Sequence, residues 1–436
     1  MADEGEQQLT GELTISAEIW LVCERCGGRI RPTGSPGRCL CGGLYHVEFP
    51  RPAVLSTALF EQRLGSWQPL DRSGVWRYRE LLPPLPIDRI ITRPEGNTNL
   101  YHHPRLAEWT GCPDLLLKHE GENPTGSFKD RGMTVAISHA RALDARAVAC
   151  ASTGNTAASV AAYAALAGLP SIVFLPSGKI ATGKLSQAIA YGARIVQIAG
   201  EFDAAMQLVQ EASSALGLYL LNSVNPFRLE GQKAIVFELL HQLGWEPPDW
   251  IILPGGNLGN TAAFGAAVMQ LRAWGLLDRL PRLGVIQAAG AAPFYAAFRS
   301  GFRDFRPVMA ETVATAIRIG NPVSYERARR AIEFTDGVVE AVTDDEILEA
   351  KAQVDRCGIG CEPASAAAVA GVRKLVARGI IRPGERVVAV LTGHVLKDPD
   401  AILQYHLSEE QRPLANRPVT IEPTLVALRG ALEHAL

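Results

Sequence analysis

Between residues 114 and 391 the chain alternates short apolar runs with longer helical stretches, and this alternation constrains the fold more than any other feature. Residues 114–119 form the first apolar run; further strands are expected over Ala147–Ser152, Ser171–Leu175, Arg194–Ile198, Leu218–Leu221, Trp250–Leu253, Leu283–Gln287 and Val387–Leu391. Helical periodicity lies between them, over Ala157–Ala167, Lys184–Tyr191, Phe202–Leu216, Gly231–Leu243, Thr261–Trp274 and Ala364–Ala377. Sustained strand–helix alternation requires parallel sheets covered by helices on both faces, an α/β architecture. In such folds ligands bind beyond the carboxyl ends of the strands, so the strand-to-helix loops are where chemistry belongs. No internal repeat is visible.

The first of these loops is the richest. After the run at 114–119 come Gly, Asn and Pro, and a helical pattern then opens at Lys129 with Met133, Val135, Ala136 and Ile137 on its apolar face. Ser127 is a plausible N-cap, which places Lys129 in the first turn. A cation there meets the positive end of the helix dipole, which lowers an amine's pKa as Schiff-base chemistry requires. The plain alternative is a solvated lysine opening a helix. Three other loops could hold anions. Ser152, Thr153, Gly154, Asn155 and Thr156 offer hydroxyls and amides at a helix start. Gly255, Gly256, Asn257, Leu258, Gly259 and Asn260 suit a phosphate, although their spacing is neither a dinucleotide fingerprint nor a P-loop. Asn222 and Ser223 lead to Arg228, which could fork onto a second phosphate or pair with Glu230. Thr392 puts a hydroxyl at the end of the last strand.

At 436 residues the chain exceeds one ordinary core, so two or three domains are expected. A charged fraction of 20% and a net charge of −2 give no general reason to expect nucleic acid or an anionic membrane as partner. The N-terminus is acidic, without the layout of a secretory signal, and no apolar run is long enough to cross a bilayer; a cytoplasmic enzyme is the expectation. Four of the eight cysteines cluster: Cys23 and Cys26, then Cys39 and Cys41, each pair followed by glycines. That spacing suits a tetrahedral zinc site, with a metal-free ribbon or redox thiols as alternatives, because the second pair has one intervening residue rather than two. Cys112, Cys150, Cys357 and Cys361 read as small buried hydrophobes. The prolines of 81–86 suggest an extended segment over a surface, and Glu95–Thr98 a turn.

Taken together, the sequences Asn123–Gly132, Ser152–Ser159, Gly255–Asn260, Glu362–Ala366 and Leu391–Pro399 resemble the pyridoxal-phosphate enzymes of the tryptophan-synthase β-subunit type, and within them the threonine synthases. The Cys-rich ribbon resembles the leader of longer members. The resemblance implies fold type II: two parallel-sheet domains, a large one from 51–140 and 230–436 and a small one from 141–229, behind a ribbon at 18–50 and a disordered tail at 1–17. It implies pyridoxal 5'-phosphate bound through Lys129, beside Phe128. Asn155 would face the phenolic oxygen, Gly255–Asn260 would cup the phosphate, and Thr392 would face the pyridine nitrogen. Ser152, Thr153, Asn155 and Thr156 would grip the substrate carboxylate; Asn222, Ser223 and Arg228 would hold the substrate phosphate. The implied activity is a lyase-type β,γ-replacement converting O-phospho-L-homoserine and water to L-threonine and phosphate, in a homodimer. Cysteate synthesis from phosphoserine and sulfite, threonine deamination and a non-catalytic paralogue are the alternatives. Asn99 and Val395 depart from the family pattern, which has proline and glycine there.

Overall fold

The computed structural model describes residues 18–176, 182–199, 208–209, 211, 213, 215–408 and 412–432. The tail expected over 1–17 and most of the helix expected over 202–216 lie outside the described residues. The chain opens with β1 (Trp20–Cys23), β2 (Arg29–Ile30) and β3 (Tyr45–Glu48), an antiparallel ribbon in the order β2-β1-β3. Next come β4 (Leu100–Tyr101), β5 (Leu115–His119), β6 (Ala147–Ala151), β7 (Ser171–Pro176), β8 (Arg194–Ile198) and β9 (Leu218–Leu220). The last four are β10 (Trp250–Pro254), β11 (Arg282–Ala288), β12 (Val338–Val342) and β13 (Val387–Leu391).

They form two larger sheets. One has the order β12-β11-β10-β13-β5-β4, parallel except for the β4 edge; the other is β8-β7-β6-β9 and wholly parallel. The α/β architecture follows from their composition. In β10, Trp250 and Ile252 enter one hydrophobic cluster while Ile251 and Leu253 enter another. β13 divides likewise, Val387, Ala389 and Leu391 against Val388 and Val390. Both faces are covered, which is why these strands are continuously apolar.

Helix Lys129–Ala142 lies in the core that both sheets share and is buried on almost every side. It packs against helices Asn155–Ala167 and Pro226–Gln242. Two glycines make the second crossing possible. A Cβ on Gly231 would fall 1.9 Å from the Arg131 carbonyl oxygen, and one on Gly132 would fall 2.8 Å from that of Arg228. That contact brings the start of one helix, with Arg228, beside the start of the other, with Lys129.

Several expectations need correction. The 81–86 segment is extended but not superficial: Leu81, Leu82 and Leu85 are core residues, because residues 73–98 wrap the Lys129 helix. Trp76 Nε1 donates to Thr134 at 2.8 Å, and Ile91 N–H donates to Ser138 at 2.8 Å. The helix expected from Gly231 starts at Pro226, with Asn225 accepting from the Phe227 N–H as N-cap. Ser127 is not the N-cap. Phe128 holds that position without a side-chain cap, and Ser127 Oγ accepts from Lys129 N–H at 3.4 Å. Cys357 is only partly buried, unlike Cys112, Cys150 and Cys361.

Candidate active site

Lys129 opens its helix at the carboxyl end of β5, where the preceding loop is sewn to the end of β13. Phe128 N–H donates to the Thr392 carbonyl at 3.1 Å, and Ser127 forms a β-bridge with Gly393. Asp130 locks the loop from below, accepting from Thr125 N–H, Thr125 Oγ1 and Ser159 Oγ at 2.6 Å each. Among the described residues no hydrogen bond holds Lys129 Nζ, which sits 4.1 Å from the centroid of the Phe128 ring. Burial first, and then the Arg228 guanidinium, pull its pKa from 10.5 to about 7, against the opposing Glu362 carboxylate. The amine's reactivity therefore comes chiefly from desolvation, a stronger cause than the helix dipole expected from the sequence.

Arg228 is the second unusual cation. It is 3% exposed, its Nη1 donates to the Leu221 carbonyl at 3.0 Å, and its Nε is buried without a partner among the described residues. Pairing with Glu230 does not occur, since Glu230 takes Lys233 instead. Burial lowers the guanidinium to about 10. A buried arginine with an idle donor is prepared for an anion.

The loop after β10 makes the third part. Leu258 adopts a left-handed conformation (φ 60°), costly for leucine, and helix Gly259–Ala273 begins directly after it. Both side-chain polar atoms of Asn260 and the Thr261 hydroxyl are buried and unpartnered. Orphaned donors at the start of a long helix fit a phosphate. Asn257 faces elsewhere: its Nδ2 donates to Ser223 Oγ at 2.7 Å and its Oδ1 accepts from Val323 N–H at 2.7 Å. It ties this loop to the Asn222–Arg228 segment. Asn222 is also committed, accepting from Ala151 N–H at 2.9 Å.

Ser152, Thr153 and Thr156 are partly buried at the carboxyl end of β6, where helix Asn155–Ala167 begins two residues earlier than periodicity suggests. Ser152 Oγ accepts from Gly154 N–H at 3.3 Å. Asn155 Nδ2 points to Glu362, 3.1 Å from Oε2. Thr392 Oγ1 lies 3.0 Å from Ser365 Oγ and 3.5 Å from Glu362 Oε1. Glu362 and Ser365 stand in a motif that carries the family resemblance, but the sequence assigned neither of them a role. Glu362 is 4% exposed, and burial raises its carboxyl above the usual range, opposed by Asn155, Lys397 and Lys129. The sequence signal was a Glu-Pro opening an Ala-rich helix with no capping bond of its own. Of the two departures, Asn99 is informative: its N–H donates to Glu122 Oε2 at 2.7 Å, a bond that proline could not make.

A lysine of low pKa with no hydrogen-bond partner among the described residues, two anion-receptive loops and a doubly covered α/β scaffold together suit an enzyme that binds a carbonyl cofactor through lysine. The model of a family described as pyridoxal-phosphate dependent enzyme matches residues 91–393. The threonine synthase of Methanocaldococcus jannaschii is 45% identical over 414 residues, covering 94% of this chain and 99% of its own. That of Methanosarcina acetivorans is 48% identical over 416 residues, covering 94% and 98%. The crystal structure of Escherichia coli threonine synthase superposes with a TM-score of 0.67 at 20% identity, over 96% of this chain and 100% of that one. The chain belongs to the pyridoxal-phosphate dependent enzymes and, among them, to the threonine synthases.

The Cys cluster is compact. The Sγ atoms of Cys23, Cys26, Cys39 and Cys41 lie within 4.8 Å of one another, with Cys23–Cys41 at 3.4 Å and Cys26–Cys39 at 3.7 Å. Zinc–thiolate bonds of about 2.3 Å in a tetrahedron place sulfurs about 3.8 Å apart, so the four fit one ion. Gly43 has to be glycine, since its Cβ would stand 2.6 Å from Cys23 Sγ.

Proposed function

We propose that the protein converts O-phospho-L-homoserine and water to L-threonine and phosphate. The observation that carries this is Arg228, a buried guanidinium with an unpaired Nε close enough to depress Lys129. A substrate phosphate would satisfy it, whereas a deaminase acting on threonine would leave it orphaned.

Pyridoxal phosphate would be held covalently by Lys129, with its phosphate on the backbone of Gly255–Asn260, where Asn260 and Thr261 offer unpartnered atoms. Phe128, Asn155 and Thr392 would border its ring. Bound there, the cofactor supplies an electron sink for carbanions at the substrate's Cα and Cβ. The neutral Thr392 hydroxyl, unlike a carboxylate, would leave the ring nitrogen largely unprotonated. Ser152, Thr153 and Thr156 would receive the substrate carboxylate, and Arg228, with Ser223, the leaving phosphate. Lys129, with a pKa of about 7 and so substantially neutral at that pH, would take the Cα proton and hold it for return. Glu362, which accepts from Asn155 Nδ2 and Thr392 Oγ1, would hold those two side chains in place.

We further propose that Cys23, Cys26, Cys39 and Cys41 bind one structural zinc, that residues 141–229 form the small domain, and that the enzyme is a cytoplasmic homodimer. One assay tests the activity: phosphate release and threonine formation from O-phosphohomoserine, with phosphoserine plus sulfite in parallel. Turnover of the second pair and not the first would overturn the assignment.

A further inference from the structure

A cavity lies away from Lys129, between the ribbon and helix Tyr325–Phe334. Its volume is about 430 Å³, within the range of small-molecule sites. Five arginines line it: Arg25 and Arg38 from the ribbon, Arg327, Arg329 and Arg330 from the helix. Two carboxylates, Glu24 and Glu326, share the lining. Glu24 is spent on Arg327 and Arg330, and Glu326 lies 3.8 Å from Arg329, which also pairs with Glu333. The lining keeps an excess of positive charge.

Two of the lining side chains have unused hydrogen-bonding atoms. Arg327 is 6% exposed; its Nε meets Glu24 at 2.7 Å and its Nη2 the Tyr45 carbonyl, but its Nη1 is buried with no partner among the described residues. The Tyr325 hydroxyl is likewise buried and unpartnered. The helix starts at Tyr325, and its N-cap Ser324 makes no capping bond. An unpaired guanidinium N–H and an unpaired phenol on residues that line an arginine-rich cavity, with an uncapped helix N-terminus beside them, suit an acceptor with several anionic oxygens.

We propose that this cavity is a binding site for a small phosphate-bearing anion, separate from the phosphate sites around Lys129. Arg327 Nη1 and the Tyr325 hydroxyl meet the phosphate, and Arg25, Arg38 and Arg329 close over it from the rim. Nothing in the proposal depends on the reaction assigned to Lys129.

The test is calorimetric titration of full-length holoenzyme with inorganic pyrophosphate, and in separate arms with inorganic phosphate and a nucleoside monophosphate, to show which source of phosphate the cavity prefers. Arg228→Ala serves as the background that silences the substrate phosphate site. The proposal expects binding to persist in Arg228→Ala. It expects affinity to fall by about tenfold or more in Arg38→Ala/Arg329→Ala, with turnover unchanged without added anion. Tyr325→Phe, which removes one hydroxyl and keeps the ring packing, should weaken it less. Absence of binding for all three anions, binding that vanishes with Arg228→Ala, or binding indifferent to the Arg38/Arg329 and Tyr325 changes would each overturn it.

Discussion

Lys118 Nζ lies 2.6 Å from Glu238 Oε1, with both side chains withdrawn from solvent. It also donates to the Thr98 carbonyl and Gln242 Oε1, each at 2.8 Å. Eleven positions further on, Lys129 has none of these anchors. Two lysines, one fully and one partly buried, thus have opposite assignments: Lys118 neutralises a carboxylate that also braces Arg131, and Lys129 is left reactive. Borohydride reduction of the holoenzyme should therefore fix the cofactor on the peptide containing Lys129, and Lys129→Ala should abolish turnover. A labelled Lys118 peptide would contradict this. Lys118→Met should instead destabilise the fold, by about 3 kcal/mol, because it strands part of a buried ionic network; urea denaturation measures it.

The low pKa of Lys129 makes a signed prediction. With the folded value near 7 rather than 10.5, the amine is neutral above about pH 7 and protonated below. Apoenzyme should recover cofactor absorbance at a rate that rises from acid pH and levels off above about 7, where an ordinary lysine would still be climbing toward 10. Arg228→Ala removes a cation that lowers this pKa, so the midpoint should move to higher pH. Glu362→Gln removes the carboxylate that raises it, so the midpoint should move lower. Shifts in the same direction for both variants would contradict this electrostatic reading.

The ribbon is joined to the body more firmly than a separate leader would be. Ile19, Leu21, Tyr45 and Val47 enter the main core, and Glu24 holds Arg327. Metal analysis should give about one zinc per chain, as a closed four-thiolate site requires. Chelation should then lower the thermal midpoint of the whole protein, not only loosen residues 18–50. Protein that is ordered through the ribbon and free of metal would remove the zinc assignment.

Much of this molecule was legible from sequence because its strands are buried on both faces. β8 and β13 match the apolar runs that announce them, and the other expected strands differ by a residue or so at their ends. β12 escaped because Glu340 interrupts its pattern; that carboxylate is 2% exposed and paired with Arg378, a partner no local window reveals. The ribbon strands, two to four residues long, carry too little periodicity to register. At the site, Lys129 and the glycine loop were readable because loop chemistry is local. The role of Glu362 was not, although its motif was quoted, because its partner Asn155 is 207 positions away. Asn257 and Asn222 were readable as polar loop residues, but their side chains hold the scaffold, and only tertiary contacts show it.

Arg228 carries the substrate assignment, so it deserves the most discriminating variant. Its Nη1 is held by the Leu221 carbonyl, which fixes the guanidinium plane and leaves Nε free. In the proposed reaction the phosphate held by Arg228 is the one that departs, so the residue should matter to substrate and not to cofactor. Truncating one partner of a desolvated charge pair costs about 2–5 kcal/mol. Arg228→Ala should therefore lower kcat/KM for O-phosphohomoserine by about two orders of magnitude or more, with cofactor content and absorbance at neutral pH retained. Arg228→Lys should recover only part of the loss, since an ammonium has no planar fork to share between the Leu221 carbonyl and a phosphate. Steady-state kinetics beside absorbance spectra separate the outcomes. If Arg228→Ala lost cofactor, the guanidinium would belong to the cofactor's phosphate. If it processed the phosphorylated substrate as well as the parent protein, the anion at Arg228 would not be the one that leaves.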